Sequence, residues 1–290
     1  MHRLSFVWVD VFSATPLAVN GLTVFTDASG LSDATLAALA RETRQAETTF
    51  VFPDASRPQG PHRVRIFTPQ GELPFAGHPT LGTASVLRQP GQAEVVLDLK
   101  VGHVPVSLTE VGTGLYAELL ARDPTFGAVH DPGRVAAALG LTVDDLDTTL
   151  SIQSVSSGLP FAVVVLRDLQ KLKQLQPDVR AMEQVLAGTD AFAFYLLAPG
   201  GEQPGVHWHA RMIERGGEDP ATGSAAGCGI AHLVARGRVP PGVEQRFEQG
   251  LEIQRPSTLH VRAELGGAGA RSVRVGGRVT RLGSGEWVLP

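Results

Sequence analysis

GHPTLGTAS at 77–85 and EDPATGSAA at 218–226 are the two stretches that decide the fold. Set one above the other, they share proline, glycine and alanine at equivalent places, with Thr83 opposite Ser224. Each follows a strand of alternating basic and apolar residues, HRVRIFTP (62–69) and VHWHARMI (206–213), and then a loop. Two copies of so large a unit mean an internal duplication, because a solenoid would repeat several times at shorter intervals. The expected fold is therefore α+β, with two pseudo-symmetric halves. Each half is a curled, mostly antiparallel, barrel-like sheet around one central helix.

The halves are expected at 1–121, with central helix 79–89, and at 122–290, with central helix 220–236; the last strand is free to return to the first half. Pro79 and Pro220 suit a first helical position. Gly237 suits the C-terminal cap of the second helix, and Pro240–Pro241 prevent its continuation. Small residues at Gly82, Ala84, Gly223, Ala225, Ala226 and Gly227 let strands approach the helices closely.

The remaining pattern agrees. LSFVWVDVF and GLTVFTDASGL alternate as two strands joined by a turn around 13–16. LSDATLAALARETRQ (31–45) is an amphipathic helix, with Ser32 as N-cap and Leu36, Leu39 and Ala40 on one face. Strands follow at 46–53, 62–69, 93–99, 103–109 and 113–120, with a hairpin turn at GTG (112–114). In the second half DPGRVAAALGL (131–141) is a helix capped by Asp131, with Pro132 at its first position. Strands are expected at 159–166, 190–199, 206–213, 244–254, 258–264, 271–281 and 285–289.

Composition narrows the function. The chain has 290 residues and a net charge of −4, so it lacks the basic face of a nucleic-acid binder. No apolar run approaches the roughly 18–20 residues that span a bilayer. MHRLSFVWVDVF alternates like a strand and lacks the apolar block and small-residue cleavage site expected of a signal peptide. A single cysteine, Cys228, excludes an intrachain disulfide, a cysteine-rich zinc site and two-thiol chemistry, and points to the cytoplasm. Only Lys100, Lys171 and Lys173 occur, none near either glycine-rich stretch, which argues against a Schiff base. Phosphate-binding and dinucleotide fingerprints are missing, as is a nucleophile elbow around Ser224, so no cofactor is expected.

What the repeat carries is anion chemistry. A helix N-terminus has unpaired N–H groups and a favourable dipole. Two such starts, expected to face one another across a cleft, would grip a small carboxylate through N–H groups at 78–83 and 219–224. His78 and Asp219 each stand before a proline, which favours extended backbone and a fixed side-chain direction. Asp219 also suits a helix N-cap, and the two roles are compatible. Glu47 opens AETTFVFP among uncharged neighbours; an apolar setting favours a neutral carboxyl and suits an acid/base near neutral pH. The matching strand of the second half, aligned on Pro53 and Pro199, has Ala193 there, which implies one acid/base rather than two.

ETTFVFP (47–53), RVRIFTPQGELPFAGHPTLGTA (63–84), GLPF (158–161) and EDPATGSAAG (218–227) together resemble the phenazine-biosynthesis isomerase family, PhzF-like, in order across essentially the whole chain. The resemblance implies the diaminopimelate epimerase-like fold with the active site between the halves. It also implies a homodimer and cofactor-free isomerisation of trans-2,3-dihydro-3-hydroxyanthranilate or a similar small anionic acid. By the same resemblance the family's glutamate, histidine, aspartate and serine fall on Glu47, His78, Asp219 and Ser224. Asn20, Gly77, Gly82, Thr83 and Gly223 join Ser224 as substrate-binding positions. The usual glycine-asparagine-proline is here Val19–Asn20–Gly21, a changed loop. Racemising relatives use a thiol from each half, but Cys228 lies one turn past Ser224 and reads as a small core residue.

In the mechanism these residues imply, Glu47 moves a proton from carbon and returns it elsewhere, while His78 and Asp219 orient the substrate and balance charge. Arg44, Arg63, Arg65 and Arg215 are candidates for tuning anion choice. Two other readings stand beside this one. His207 and His209 lie two apart on a strand and, with Glu218, offer a metal-dependent enzyme. A catalytically silent binding protein on the same fold is the other.

Overall fold

The computed structural model describes residues 2–13, 15–17, 20–112, 114–214, 217–267 and 269–289. Val19 of the changed loop, Arg215, Thr113 of the GTG turn and residue 14 of the first turn lie outside them. The chain divides into two compact units, 1–120 with 276–290, and 121–275.

The first unit contains β1 (His2–Val11), β2 (Asn20–Phe25), α1 (Asp33–Thr43), β3 (Thr48–Phe52), β4 (His62–Thr68), β5 (Gly71–Leu73), α2 (Gly77–Leu87), β6 (Glu94–Leu99), β7 (Gly102–Val111) and β8 (Gly114–Leu120). The second contains β9 (Thr125–Val129), α3 (Pro132–Ala138), β10 (Gln153–Ser156), β11 (Pro160–Val165), α4 (Leu169–Lys173), α5 (Val179–Leu186), β12 (Ala193–Pro199), β13 (Trp208–Glu214), β14 (Gly217–Glu218), α6 (Gly223–Ala235), β15 (Gln245–Gln249) and β16 (Ser257–Gly266). A last strand, β17 (Gly269–Leu289), runs from the second unit into the first.

The duplication is visible in the pairing. In the first unit β1–β2 is antiparallel, β2–β3 parallel, β3–β4 and β4–β5 antiparallel, β4–β6 parallel and β6–β7 antiparallel. The second repeats that order through β10–β11, β11–β12, β12–β13, β13–β14, β13–β15 and β15–β16. In the first unit β8 and β1 both pair with β17, so the strands form a closed ring.

α2 packs against β1, β2, β3, β6, β7 and β8, and α6 against β10, β11, β12 and β16. Close approach explains the small residues. A Cβ added at Gly82 would lie 2.6 Å from Leu22 Cδ2, and one at Gly229 would lie 3.0 Å from Tyr195. A second layer covers the outer face of the strands. Leu36, Leu39 and Ala40 of α1 pack on Phe25, Phe50 and Phe67. In the second unit α3, with its C-cap Leu139, and α5 place Val135, Leu139, Met182 and Leu186 on Ala162, Val164, Phe194 and Leu196. β11 and β12 are thus covered on both faces, which is why PFAVVV and AFYLLAP are continuously apolar.

Several boundaries differ from expectation for physical reasons. α2 begins at Gly77, two residues before Pro79, so His78 is helical although a proline follows it. Pro79 is the third helical residue, where its missing N–H costs nothing because that group has no intrahelical partner. α6 begins at Gly223, three residues beyond Pro220, and its N-cap is Thr222, not Asp219. The strand expected at 244–254 stops at Gln249, because Gly250 adopts φ +82°. The two final strands are one, β17. Helices α4 and α5 were not anticipated. Among the described residues no helix is long and apolar enough to cross a membrane.

Candidate active site

In the first unit three sequence-predicted residues meet. Asn20 opens β2, Glu47 directly precedes β3, and β2 and β3 are parallel partners, so the two lie at one end of that pair. α2 packs on both strands and brings up His78 from its first turn. Asn20 Nδ2 is 3.3 Å from His78 Nδ1, and His78 Nε2 is 3.5 Å from Glu47 Oε2.

Burial decides the charge of this trio. His78 is 5% exposed, and desolvation pushes its pKa down to about 3, so the imidazole is neutral at pH 7. With the Asn20 amide donating, Nδ1 accepts and the one ring proton sits on Nε2, aimed at the Glu47 carboxyl. The Glu47 side chain keeps 17% exposure, so a ligand reaches it more readily than it reaches His78.

The other positions of this unit divide. Gly77 is the first residue of α2. Gly82 faces Leu22, Val11 and Val9, and Thr83 is fully buried with its hydroxyl donated to Thr49 at 2.8 Å. Their side-chain positions belong to the core. Because α2 starts at Gly77, N–H groups from Thr80 onward join the helix ladder, Thr80 N bonding Ala76 O, and Pro79 has none. The donors left at this start are Gly77 and His78, fewer than the expected 78–83.

In the second unit Glu218 and Asp219 do separate work. Glu218 pairs in bidentate fashion with Arg211 across the β13–β14 hairpin, at 2.9 and 2.8 Å. Asp219 Oδ2 accepts a 2.6 Å hydrogen bond from the Thr222 hydroxyl. Gln249, fully buried, donates to the Asp219 carbonyl and to Thr222 Oγ1, and accepts from Thr222 N and Tyr195 OH. Ser257 holds the carbonyls of Pro220 and Gln249. Burial, together with the charge of Asp219, raises the Tyr195 pKa far above its ordinary value, so the phenol keeps its proton. Half-buried Glu214 is also raised, first by burial and then by Asp219.

The helix starts share a property. Ser32, Asp131, Asp168 and Asp178 cap α1, α3, α4 and α5 through their side chains. The N-caps of the two central helices, Ala76 and Thr222, make no side-chain cap bond. For α6 this leaves the first-turn N–H groups of Gly223, Ser224 and Ala225 without an intrahelical partner or a side-chain cap, with the Ser224 side chain part-exposed beside them. Those groups replace the expected 219–224 set, because Asp219 N bonds Met212 O and Thr222 N bonds Gln249.

The pair His207 and His209 is engaged otherwise than a metal site requires. His209 is fully buried between Glu248 Oε1, 2.7 Å from Nδ1, and Glu252 Oε1, 2.9 Å from Nε2. Burial lowers its pKa, but the two carboxylates outweigh that and raise it. His207 Nδ1 accepts from Arg246 N, and Glu218 is held by Arg211. Among the described residues no group of His, Cys, Asp and Glu is arranged to hold a metal ion. Cys228 is buried, its pKa pushed up to about 11, so it stays a thiol. Arg65 is held by Glu72 and Asp33, Arg63 lies over the Phe52 ring, and Arg44 is exposed.

A family model described as phenazine biosynthesis-like protein matches residues 9–285. The chain belongs to the PhzC-PhzF family. It is 36% identical over 296 residues to trans-2,3-dihydro-3-hydroxyanthranilate isomerase of Pseudomonas aeruginosa, with 100% of both chains covered. A crystal structure of a phenazine biosynthesis protein of the PhzF family from Bacillus anthracis shares the fold, with a TM-score of 0.87, 24% identity and 100% coverage of both. A predicted epimerase from Pseudomonas aeruginosa is 35% identical with a TM-score of 0.84, again over 100% of both. Relatives named isomerase and epimerase make this PhzF-family chain an isomerase. Thr222, Gln249, Tyr195 and Ser257 escaped sequence reasoning. Thr222 lay inside the quoted repeat, whereas the other three carry no local motif.

Proposed function

We propose that this PhzF-family isomerase shifts a proton on a small anionic acid, dihydroaromatic or enolisable, of the kind named in its relative, trans-2,3-dihydro-3-hydroxyanthranilate. The observation that carries the reading is the trio Asn20–His78–Glu47, a neutral imidazole held by an amide and facing a partly accessible carboxyl. Glu47 removes the proton from carbon and returns it elsewhere on the conjugated system. The His78 Nε2–H steers the carboxyl as it alternates between charged and neutral forms. A positioned acid/base of this kind is worth about 10²–10⁴ in rate.

By resemblance Asp219 orients the substrate's hydroxyl or amine, and Ser224 with Gly223 receives its anionic part. The uncapped N–H groups of 223–225 support that assignment, since donors aimed at developing charge stabilise it. Gly77 and Asn20 take the corresponding part in the first unit. The reading includes a homodimer, by resemblance, and a cytoplasmic setting, from the single cysteine. No cofactor or metal enters it.

The test is turnover of trans-2,3-dihydro-3-hydroxyanthranilate in deuterium oxide, followed by proton NMR. Isomerisation with deuterium entering one ring carbon is expected. A protein that neither isomerises that compound nor exchanges deuterium into related enolisable acids ends this reading. Light scattering at micromolar concentration tests the dimer, which a monomer mass would remove.

A further inference from the structure

Thr222 occupies the N-cap of α6, where a threonine hydroxyl ordinarily accepts a first-turn N–H. Here it makes no such bond. It is turned the other way and donates its single proton to Asp219 Oδ2 at 2.6 Å. Something holds it there, and that is Gln249. The carbonyl of Asp219 can only accept and the amide N of Thr222 can only donate, so Nε2 must face the first, at 2.8 Å, and Oε1 the second, at 3.3 Å. The remaining Nε2 proton goes to Thr222 Oγ1 at 2.9 Å, and Tyr195 OH donates to Oε1 at 3.3 Å. Thr222 Oγ1, supplied with a proton by Gln249, has one proton left to give, and its partner is the carboxylate. The direction of the chain is thus set by groups that cannot reverse.

We infer that Thr222, held by Gln249, is a positioning residue that orients the Asp219 carboxylate and stabilises its ionised form. The inference rests on the proposed role of Asp219 in the reaction and adds the device that prepares it. The same diversion leaves the first turn of α6 without its ordinary side-chain cap, so one hydroxyl serves the carboxylate and keeps the N–H groups of 223–225 available.

Thr222→Val removes the hydroxyl at constant shape, and Thr222→Ser restores it. The deciding measurement is a pH titration of the Asp219 side-chain carboxyl by carbon-13 NMR on the ligand-free protein, assigned with Asp219→Asn. The midpoint is expected to move to higher pH in Thr222→Val and to stay near wild type in Thr222→Ser. Should the valine variant fail to fold, Thr222→Ala carries the same expectation. With the isomerase assay in hand, kcat should fall roughly 10-fold in Thr222→Val with KM little changed, the size of one hydrogen bond to a charged group. The acidic limb of the kcat profile should move up with it, and serine should rescue both. An Asp219 midpoint that is the same in wild type, Thr222→Val and Thr222→Ala overturns the inference whether or not the protein turns over. A wild-type protein that fails to turn over, with the midpoint shifted as expected, overturns the functional reading instead and leaves the relay intact.

Discussion

Glu47 and His78 lie 3.5 Å apart yet differ in exposure, 17% against 5%, and that difference divides their work. In the proposed reaction the more accessible group meets the substrate, and the buried neutral ring steers it. Glu47→Gln keeps shape and some hydrogen bonding but cannot take a proton. Deuterium incorporation at the substrate carbon should therefore be lost, with ligand affinity retained by calorimetry. A glutamine variant that exchanges deuterium near the wild-type rate would move the acid/base role to His78 or Asp219. Asp219→Asn has a different expectation now that Asp219 is not the cap of α6. Asparagine can still accept from Thr222, so the fold should survive while kcat falls, and a variant with unchanged kcat would count against any role in the reaction. At this scale the sequence was legible where a residue stands inside a motif. Glu47, His78, Asp219 and Ser224 were all singled out as candidates that way, and the structure brings Glu47 and His78 together. Gln249 was not, because a buried glutamine on a strand acquires its meaning only from Asp219 and Thr222, far away in the chain.

Helices α2 and α6 carry two kinds of information, of which the sequence displayed one. Their small residues announced close packing, and the Cβ distance at Gly82 bears that out. Their starting points were misplaced, because Pro79 marks the first turn of α2 without saying which of its residues it occupies, and Pro220 lies outside α6 altogether. The start of α6 is decided instead by hydrogen bonds from Gln249 and Ser257 that hold 219–222 outside the helix. α4 and α5 carry ordinary cap signals, Asp168 and Asp178, in a region whose apolar strands dominated the pattern. Two substitutions separate the central from the peripheral helices. Gly82→Ala forces a methyl against Leu22, Val11 and Val9 and should cost roughly 1–3 kcal/mol by urea denaturation. Ser32→Ala removes the cap of α1 and should cost about 1 kcal/mol with kcat unchanged. A Gly82→Ala protein as stable as wild type would mean the strands can yield around α2.

Across the whole molecule the buried histidines set how stability depends on pH, and they pull in opposite directions in separate windows. Burial lowers His78 to about 3, and burial aided by Arg236 lowers His232 to about 4. Partly buried His62 and buried His130 shift the same way through burial. Below the unfolded value of 6.5 the unfolded chain binds protons that the native protein refuses, so stability falls as pH falls from there. At pH 5 each of the two strongly shifted rings forfeits up to roughly 2 kcal/mol. His209 runs the other way. Its pair of carboxylates raises its native pKa, so its contribution is complete below 6.5 and is lost as pH climbs through the raised value. The two limbs meet near the ordinary histidine pKa, so the melting temperature should peak close to pH 6.5. It should decline on both sides, before the surface carboxylates begin to titrate on the acid side. Scanning calorimetry from pH 5 to 9 measures this directly. His209→Gln should lower the peak and flatten the alkaline limb, because glutamine can hold one carboxylate but carries no charge to lose. A wild-type melting temperature that rises steadily from pH 6.5 down to pH 5 would show that His78 and His232 are not held neutral. The tautomer argued for His78, with its proton aimed at Glu47, would then fail as well.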